Sequence, residues 1–210
     1  MRASALTRRT ALMLAAAGAL TLAACNQGAS AGSSTGGTNV GKADAPVTLT
    51  EYASVTCGAC AAWDKQVWPA FKAKYVDTGL VRYELREFLT PPTQVSAAGW
   101  LLADCAPDDK YLQVVHAIFE AQPEMGQTGD YRGILQRIGA QAGLNQQQFE
   151  ACVTNEDAQV ALNERVEAAV KRGVQGTPTF FINGKKFEGT PTLEGLEAAI
   201  KPLVSGKKAG

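Results

Sequence analysis

Apolar and polar residues alternate from Val47 to Tyr52, with Val47, Leu49 and Glu51 on one face, and this period of two predicts a strand. The period then changes. Cys60, Trp63, Val67, Phe71 and Tyr75 recur at helical spacing and predict an amphipathic helix over 58–76. Pro69 falls inside it, lacks the N–H that a helix interior uses, and is expected to kink it. Asp77-Thr78-Gly79 ends it. Leu80 to Phe88 predicts a second strand, broken by Thr90-Pro91-Pro92. From Thr93 to Lys171 no strand period appears. Helices fit 94–105, 109–121, 130–142, 146–152 and 156–172, separated by Pro107, Pro123, Gly126, Gly129 and Gly143, with Gly173 after the last. Thr179 to Ile182 predicts a strand, Asn183-Gly184 a two-residue hairpin turn, and Lys186 to Glu188 the returning strand. Leu193 to Val204 predicts a final helix.

The order is therefore β-α-β, a helical block, then β-β-α. A parallel first pair of strands needs a right-handed crossover, which the 58–76 helix supplies. Residues 93–172 read as a helical insertion into one α/β domain, whose two halves are 41–92 and 173–205. They also read as a semi-independent subdomain, since both ends return to the same sheet.

Upstream of Gly41 the pattern has no such period. Residues 1–24 hold no Asp or Glu, and Arg2, Arg8 and Arg9 form a basic start. The apolar run from Ala11 to Ala24 is shorter than the ~20 residues of a spanning helix, so it predicts a secretory signal. Leu22-Ala23-Ala24-Cys25 resembles the bacterial lipobox, which implies cleavage before Cys25 and a lipid attached to it. Arg8-Arg9 resembles a weak twin-arginine signal without its large aromatic, so the export route stays open. Asn26 to Val40 is almost wholly Gly, Ser, Ala, Thr, Asn and Gln, too polar to bury a core. Residues 25–40 are thus expected to be a flexible tether, with a reach of roughly 20 Å.

Composition removes several classes of function. The 210 residues carry 20 basic and 20 acidic side chains, a balance without the footprint of a nucleic-acid binder. His116 is the one histidine, which nearly excludes the common zinc sites and leaves Ser-His or Cys-His catalysis no other candidate. It sits on a helix with a broad apolar face and reads as a packing or surface residue. Trp63 and Trp68 read as core.

The candidate chemistry is Cys57-Gly58-Ala59-Cys60, at the end of a strand and the start of a helix. One helical turn brings two such sulfurs to disulfide distance. Cys57 lies at the helix N-terminus, where free N–H groups and the dipole favour an anion. It is expected to be the acidic, exchanging sulfur, with Cys60 shielded one turn inside. Zinc binding would need two more ligands, whereas Cys105 and Cys152 are isolated; no metal is expected. A purely structural disulfide is the other alternative. In an exported protein Cys105 and Cys152 are expected to form a structural bridge; the alternative is two separate buried thiols.

Two stretches carry a family resemblance. Gly41 to Tyr52 (GKADAPVTLTEY), followed by the Cys-x-x-Cys, resembles the opening of DsbA-like thiol:disulfide oxidoreductases of the thioredoxin fold. So does Gly173 to Gly184 (GVQGTPTFFING), and the likeness covers roughly residues 40–204. It implies a thioredoxin fold with an inserted helical domain. It implies that Pro178 is the cis-proline facing the active-site disulfide, leaving the backbone of Thr177 to pair with an extended substrate. It implies that Glu51 is a buried acid beneath the disulfide, able to exchange a proton with Cys60. The alternative for Glu51 is a solvated strand residue. One departure stands out: the strongly oxidising members carry Pro-His between the cysteines, where this chain has Gly58-Ala59.

The resemblance further implies a monomeric enzyme on the periplasmic side of a bacterial membrane, tethered through Cys25. Its substrates would be exported proteins with free thiols, and a DsbB-type membrane protein would reoxidise it. The redox-active disulfide needs no cofactor. Reductase or isomerase action is the competing direction, and a non-catalytic peptide-binding lipoprotein is the competing class.

Overall fold

The computed structural model describes residues 36–205. The expected signal, Cys25 and the tether as far as residue 35 lie outside the described residues.

Five strands form one sheet: β1 (Thr38–Val40), β2 (Val47–Ala53), β3 (Val81–Glu87), β4 (Thr179–Ile182) and β5 (Lys185–Lys186), in spatial order β1-β3-β2-β4-β5. β2 and β3 are parallel, with Val47 opposite Val81 and Glu51 opposite Leu85. β1, β4 and β5 each run antiparallel to their neighbour. The parallel pair is joined by helix, as a crossover requires. That helix begins as α1 (Gly58–Gln66), yields at Val67 to α2 (Trp68–Phe71), and ends in a wider π turn, Lys72–Val76. The break falls where Pro69 cannot donate to the preceding turn.

The insertion consists of α3 (Thr93–Cys105), α4 (Tyr111–Thr128), α5 (Tyr131–Ala142), α6 (Gln146–Val153) and α7 (Glu156–Lys171); α8 (Leu193–Ser205) follows the sheet. It is not a separate body. One continuous buried cluster runs from Val47, Leu49 and Leu85 in the sheet to Trp100, Leu102, Ile118, Ile138 and Phe149 in the helices. The fold is a thioredoxin fold with a helical insertion packed onto it.

Two details depart from the sequence pattern. The tether expected through Val40 ends earlier, because Thr38–Val40 pairs with β3, Thr38 opposite Leu85 and Val40 opposite Tyr83. A ladder uses backbone, so polar composition does not forbid it, and the open edge of β3 is covered. Gly37 has φ +67° and approaches the Leu85 carbonyl so closely that a Cβ would sit 2.0 Å from it; only glycine fits. The second departure is α4, which runs through Pro123 and Gly126 instead of stopping near residue 121. Pro123 forgoes one helical hydrogen bond, but the apolar stripe continues to buried Met125 and offsets the loss. Gly129, at φ +70°, closes the helix.

An ionic tie joins the insertion to β3, and a covalent one closes the insertion on itself. Arg165 of α7 donates to both Glu87 carboxylate oxygens, at 3.1 and 3.3 Å, and to Asp104 at 3.0 Å. Glu87 also accepts the Gly37 N–H at 2.7 Å. Burial and the nearby Glu87 charge push the Asp104 carboxyl up to about 7, with Arg165 opposing them. Cys105 and Cys152 form a disulfide between the ends of α3 and α6, Cα to Cα 6.1 Å. Closing that 47-residue separation removes chain entropy worth roughly 4 kcal/mol at most.

Candidate active site

β2 delivers Ser54 to Cys57 at the sheet's C-terminal edge, and Cys57 caps α1. Cys57 and Cys60 are free thiols in this structure, the first half-buried and the second fully buried. The Cys60 N–H points at Cys57 Sγ, 3.4 Å away, as an N-cap requires. Opposite, the Thr177–Pro178 peptide is cis, and the Cys57 thiol donates to the Thr177 carbonyl at 3.3 Å. The cysteine pair and the cis-proline loop thus meet across 120 residues of sequence.

Cys57 is acidic, held down to about 5. The largest cause is the Cys60 thiol, which donates to the Cys57 sulfur; partial burial opposes it. The Thr177 hydroxyl and the backbone N–H groups of Cys60 and Ala59 add to the effect. The Cys57 thiol donates to the Thr177 carbonyl, while the Thr177 hydroxyl is buried without a hydrogen-bond partner. Sequence reasoning assigned the acidity to the helix end; the neighbouring thiol contributes more. Cys60 moves the other way. Its proton is committed to Cys57, and burial with the Glu51 charge raises its proton affinity further.

Glu51 is buried, 2% exposed, so the solvated alternative does not hold. Desolvation pushes its carboxyl up to about 8. The Tyr83 hydroxyl donates to Glu51 Oε2 at 2.6 Å and holds the rise back, while the charges of Asp64 and Cys57 add to it. Burial thus favours the protonated carboxyl at Glu51, whose charge when ionised is felt at Cys60. Tyr83 escaped the sequence analysis. Its place on the inward face of β3, between Val81 and Leu85, was readable, but its hydroxyl's partner lies on the adjacent strand.

A hydroxyl cluster fixes the turn after β2. Ser54 Oγ lies 2.8 Å from Ser96 Oγ, 2.8 Å from Thr90 Oγ1 and 3.1 Å from Thr56 Oγ1. The Ser54 carbonyl accepts the Cys57 N–H at 2.9 Å. Trp63 and Trp68 belong to the core with Tyr83, as expected. His116 lies at the surface of α4, with Nδ1 2.6 Å from Asp64 Oδ1. Both line an open groove of about 980 Å³ between α1 and α4 that starts beside Gly58 and passes Trp68 and Phe119. Among the described residues, no group of three or more His, Cys, Asp or Glu side chains is placed to hold a metal ion. Nor is any described helix long and apolar enough to cross a membrane.

A sequence profile of the Thioredoxin family matches residues 33–202. A relative in Rickettsia typhi, whose name places it among the protein-disulfide oxidoreductases, is 31% identical over 164 residues, which are 77% of this chain and 59% of that protein. The chain thus spans about 59% of that relative's length. The crystal structure of Wolbachia pipientis alpha-DsbA1 superposes with a TM-score of 0.73 at 26% identity, covering 81% of this chain and 92% of the other. Oxidised BdbD of Bacillus subtilis shares the fold at TM-score 0.74 and 20% identity, over 83% and 96% of the two chains. A profile match along most of the chain, with the cysteine pair and the proline loop brought together by the same architecture, establishes that the chain belongs to the thioredoxin family, in its DsbA-like branch.

Proposed function

We propose that this chain is a thiol:disulfide oxidoreductase that exchanges a Cys57–Cys60 disulfide with thiols of exported proteins, and that it runs in the oxidising direction. A substrate thiolate attacks Cys57 Sγ, the Cys57–Cys60 bond breaks, and Cys60 leaves. A second substrate thiolate attacks the substrate sulfur of the mixed disulfide and expels Cys57. The substrate loses two electrons, and the enzyme gains them as the Cys57 thiolate and the Cys60 thiol.

The observation that carries the reading is the asymmetry of the two sulfurs. Cys57 is half-exposed with a proton affinity near 5, whereas Cys60 is buried and firmly protonated. An acidic Cys57 is a good leaving group in the last step, which favours oxidation of the substrate. Thr177 and Pro178 lie beside it, where an extended substrate can pair with the backbone ahead of β4. The lipid on Cys25, the periplasmic location, a DsbB-type reoxidant and a monomeric state complete the reading, supported by the export signal and the family.

Incubating the oxidised protein with a reduced two-cysteine peptide tests it. The peptide is expected to become oxidised, and the Cys57–Cys60 potential against glutathione to fall between about −120 mV and about −270 mV. The charge-free Gly58-Ala59 pair keeps it below the upper figure. A potential at or under the lower one would overturn the oxidising direction.

Glu51 supplies the proton to departing Cys60 in this reading. Glu51→Gln keeps the shape and the Tyr83 contact but cannot titrate. It is expected to slow disulfide opening about tenfold at neutral pH and to erase the inflection near pH 8 in stopped-flow rates. An unchanged pH profile would remove Glu51 from the mechanism.

A further inference from the structure

Gln122 stands on α4 immediately before Pro123, and its side chain leaves the insertion to reach the reactive turn. Nε2 donates to the Val55 carbonyl at 2.9 Å and to the Cys57 carbonyl at 3.2 Å. An amide nitrogen has two hydrogens, so both are spent on this turn. Oε1 lies on the Gly58 side, 4.0 Å from where a side chain on that residue would begin. The carbonyls it holds lie on either side of Thr56, whose hydroxyl is tied to the Ser54 cluster.

We propose that Gln122 is a positioning residue for Cys57, through which the helical insertion holds the reactive turn and keeps the Cys57 sulfur within reach of the Cys60 N–H. The argument turns on the redox state. In the oxidised protein the covalent bond to Cys60 fixes Cys57. In the reduced protein hydrogen bonds do: the Cys57 N–H to the Ser54 carbonyl, the Ala61 N–H and Gln122 Nε2 to the Cys57 carbonyl, the Cys57 thiol to the Thr177 carbonyl, and the Cys60 N–H to Sγ, with Gln122 also holding the Val55 carbonyl of the same turn. The bond from the Cys60 N–H depends on where the turn places Sγ, 3.4 Å from the Cys60 nitrogen, so a shift of the turn weakens it. Releasing Gln122 should therefore weaken the reduced state more than the oxidised one. Asp64, Lys65, His116 and Glu120 also line the neighbouring groove, and substitution at Gln122 leaves them in place.

The proposal rests on Cys57 being the exchanging sulfur, which iodoacetamide labelling of the unsubstituted protein checks on its own. If Cys60 were labelled first, the exchange reading would fail whatever Gln122 does. Gln122→Met keeps length and helix propensity but removes both donors; Gln122→Glu sets a negative oxygen against the two carbonyls. Gln122 is only half-buried, so both variants are expected to fold. In Gln122→Met the thiolate absorbance midpoint of Cys57 should rise by about one pH unit, and the equilibrium with glutathione should shift about tenfold toward oxidised protein. Gln122→Glu should shift both further. Equal losses of stability in the two redox forms, with midpoint and equilibrium unmoved, would overturn the assignment and leave Gln122 a purely structural tie.

Discussion

Cys57→Ser is expected to reduce disulfide exchange with a model peptide to the uncatalysed rate, a loss of about 10³-fold or more, because the thiolate is the exchanging nucleophile. Cys60→Ser should behave differently. Cys57 stays exposed enough to be attacked and to attack, while the sulfur that resolves the adduct is gone. A reductant-sensitive adduct on Cys57 should then accumulate, visible as a mass increase when the variant meets a peptide carrying an activated disulfide. The two phenotypes follow from burial and proton affinity together. Swapped phenotypes, with adducts on Cys60 in Cys57→Ser, would reverse the roles assigned to the two sulfurs.

What could be read from the sequence was what is written locally. The alternation at Val47 to Tyr52, the helical spacing from Cys60 to Tyr75 and the Asn183-Gly184 turn each declare an element within a few residues, and those elements fall where expected. Asn183 and Gly184 both take positive φ, as that hairpin turn demands. Features that depend on a distant partner were not legible. Thr38–Val40 becomes a strand only because β3 offers an edge. Tyr83 meets Glu51 across strands, and Gln122 reaches Cys57 from 65 residues away. α4 outlasts Pro123 because Met125 has a core to enter, a tertiary gain that no helix-stop rule contains. The acidity of Cys57 was legible in sign but not in cause. A helix end is written in the sequence, whereas the sulfhydryl that contributes most is set by the pair's geometry.

That acidity predicts a pH-dependent gap between the stabilities of the reduced and oxidised protein. Unfolded, Cys57 titrates near its ordinary value of about 8.5; folded and reduced, near 5. Between those values the unfolded chain binds more protons at Cys57 than the folded one, so stability of the reduced form rises with pH. The contribution is fully present above about 8.5 and is lost as pH falls through 5. Because the sulfur is half-exposed, solvent screening trims the nominal energy, and about 2 kcal/mol is the expected size. The oxidised protein has no such thiolate. Glu51 works in the opposite sense: with its folded proton affinity raised to about 8, it costs stability as pH climbs from its unfolded value. Burial, the largest cause of that cost, is present in both redox forms, so subtracting one denaturation curve from the other leaves chiefly Cys57, with the smaller part that its charge adds at Glu51. Urea unfolding of each form from pH 5 to 8.5 should show the reduced form gaining about 2 kcal/mol on the oxidised one. A gap that stays flat would mean that the Cys57 thiolate is no better held in the folded protein than in the open chain, and the case for an oxidising enzyme would lose its physical basis.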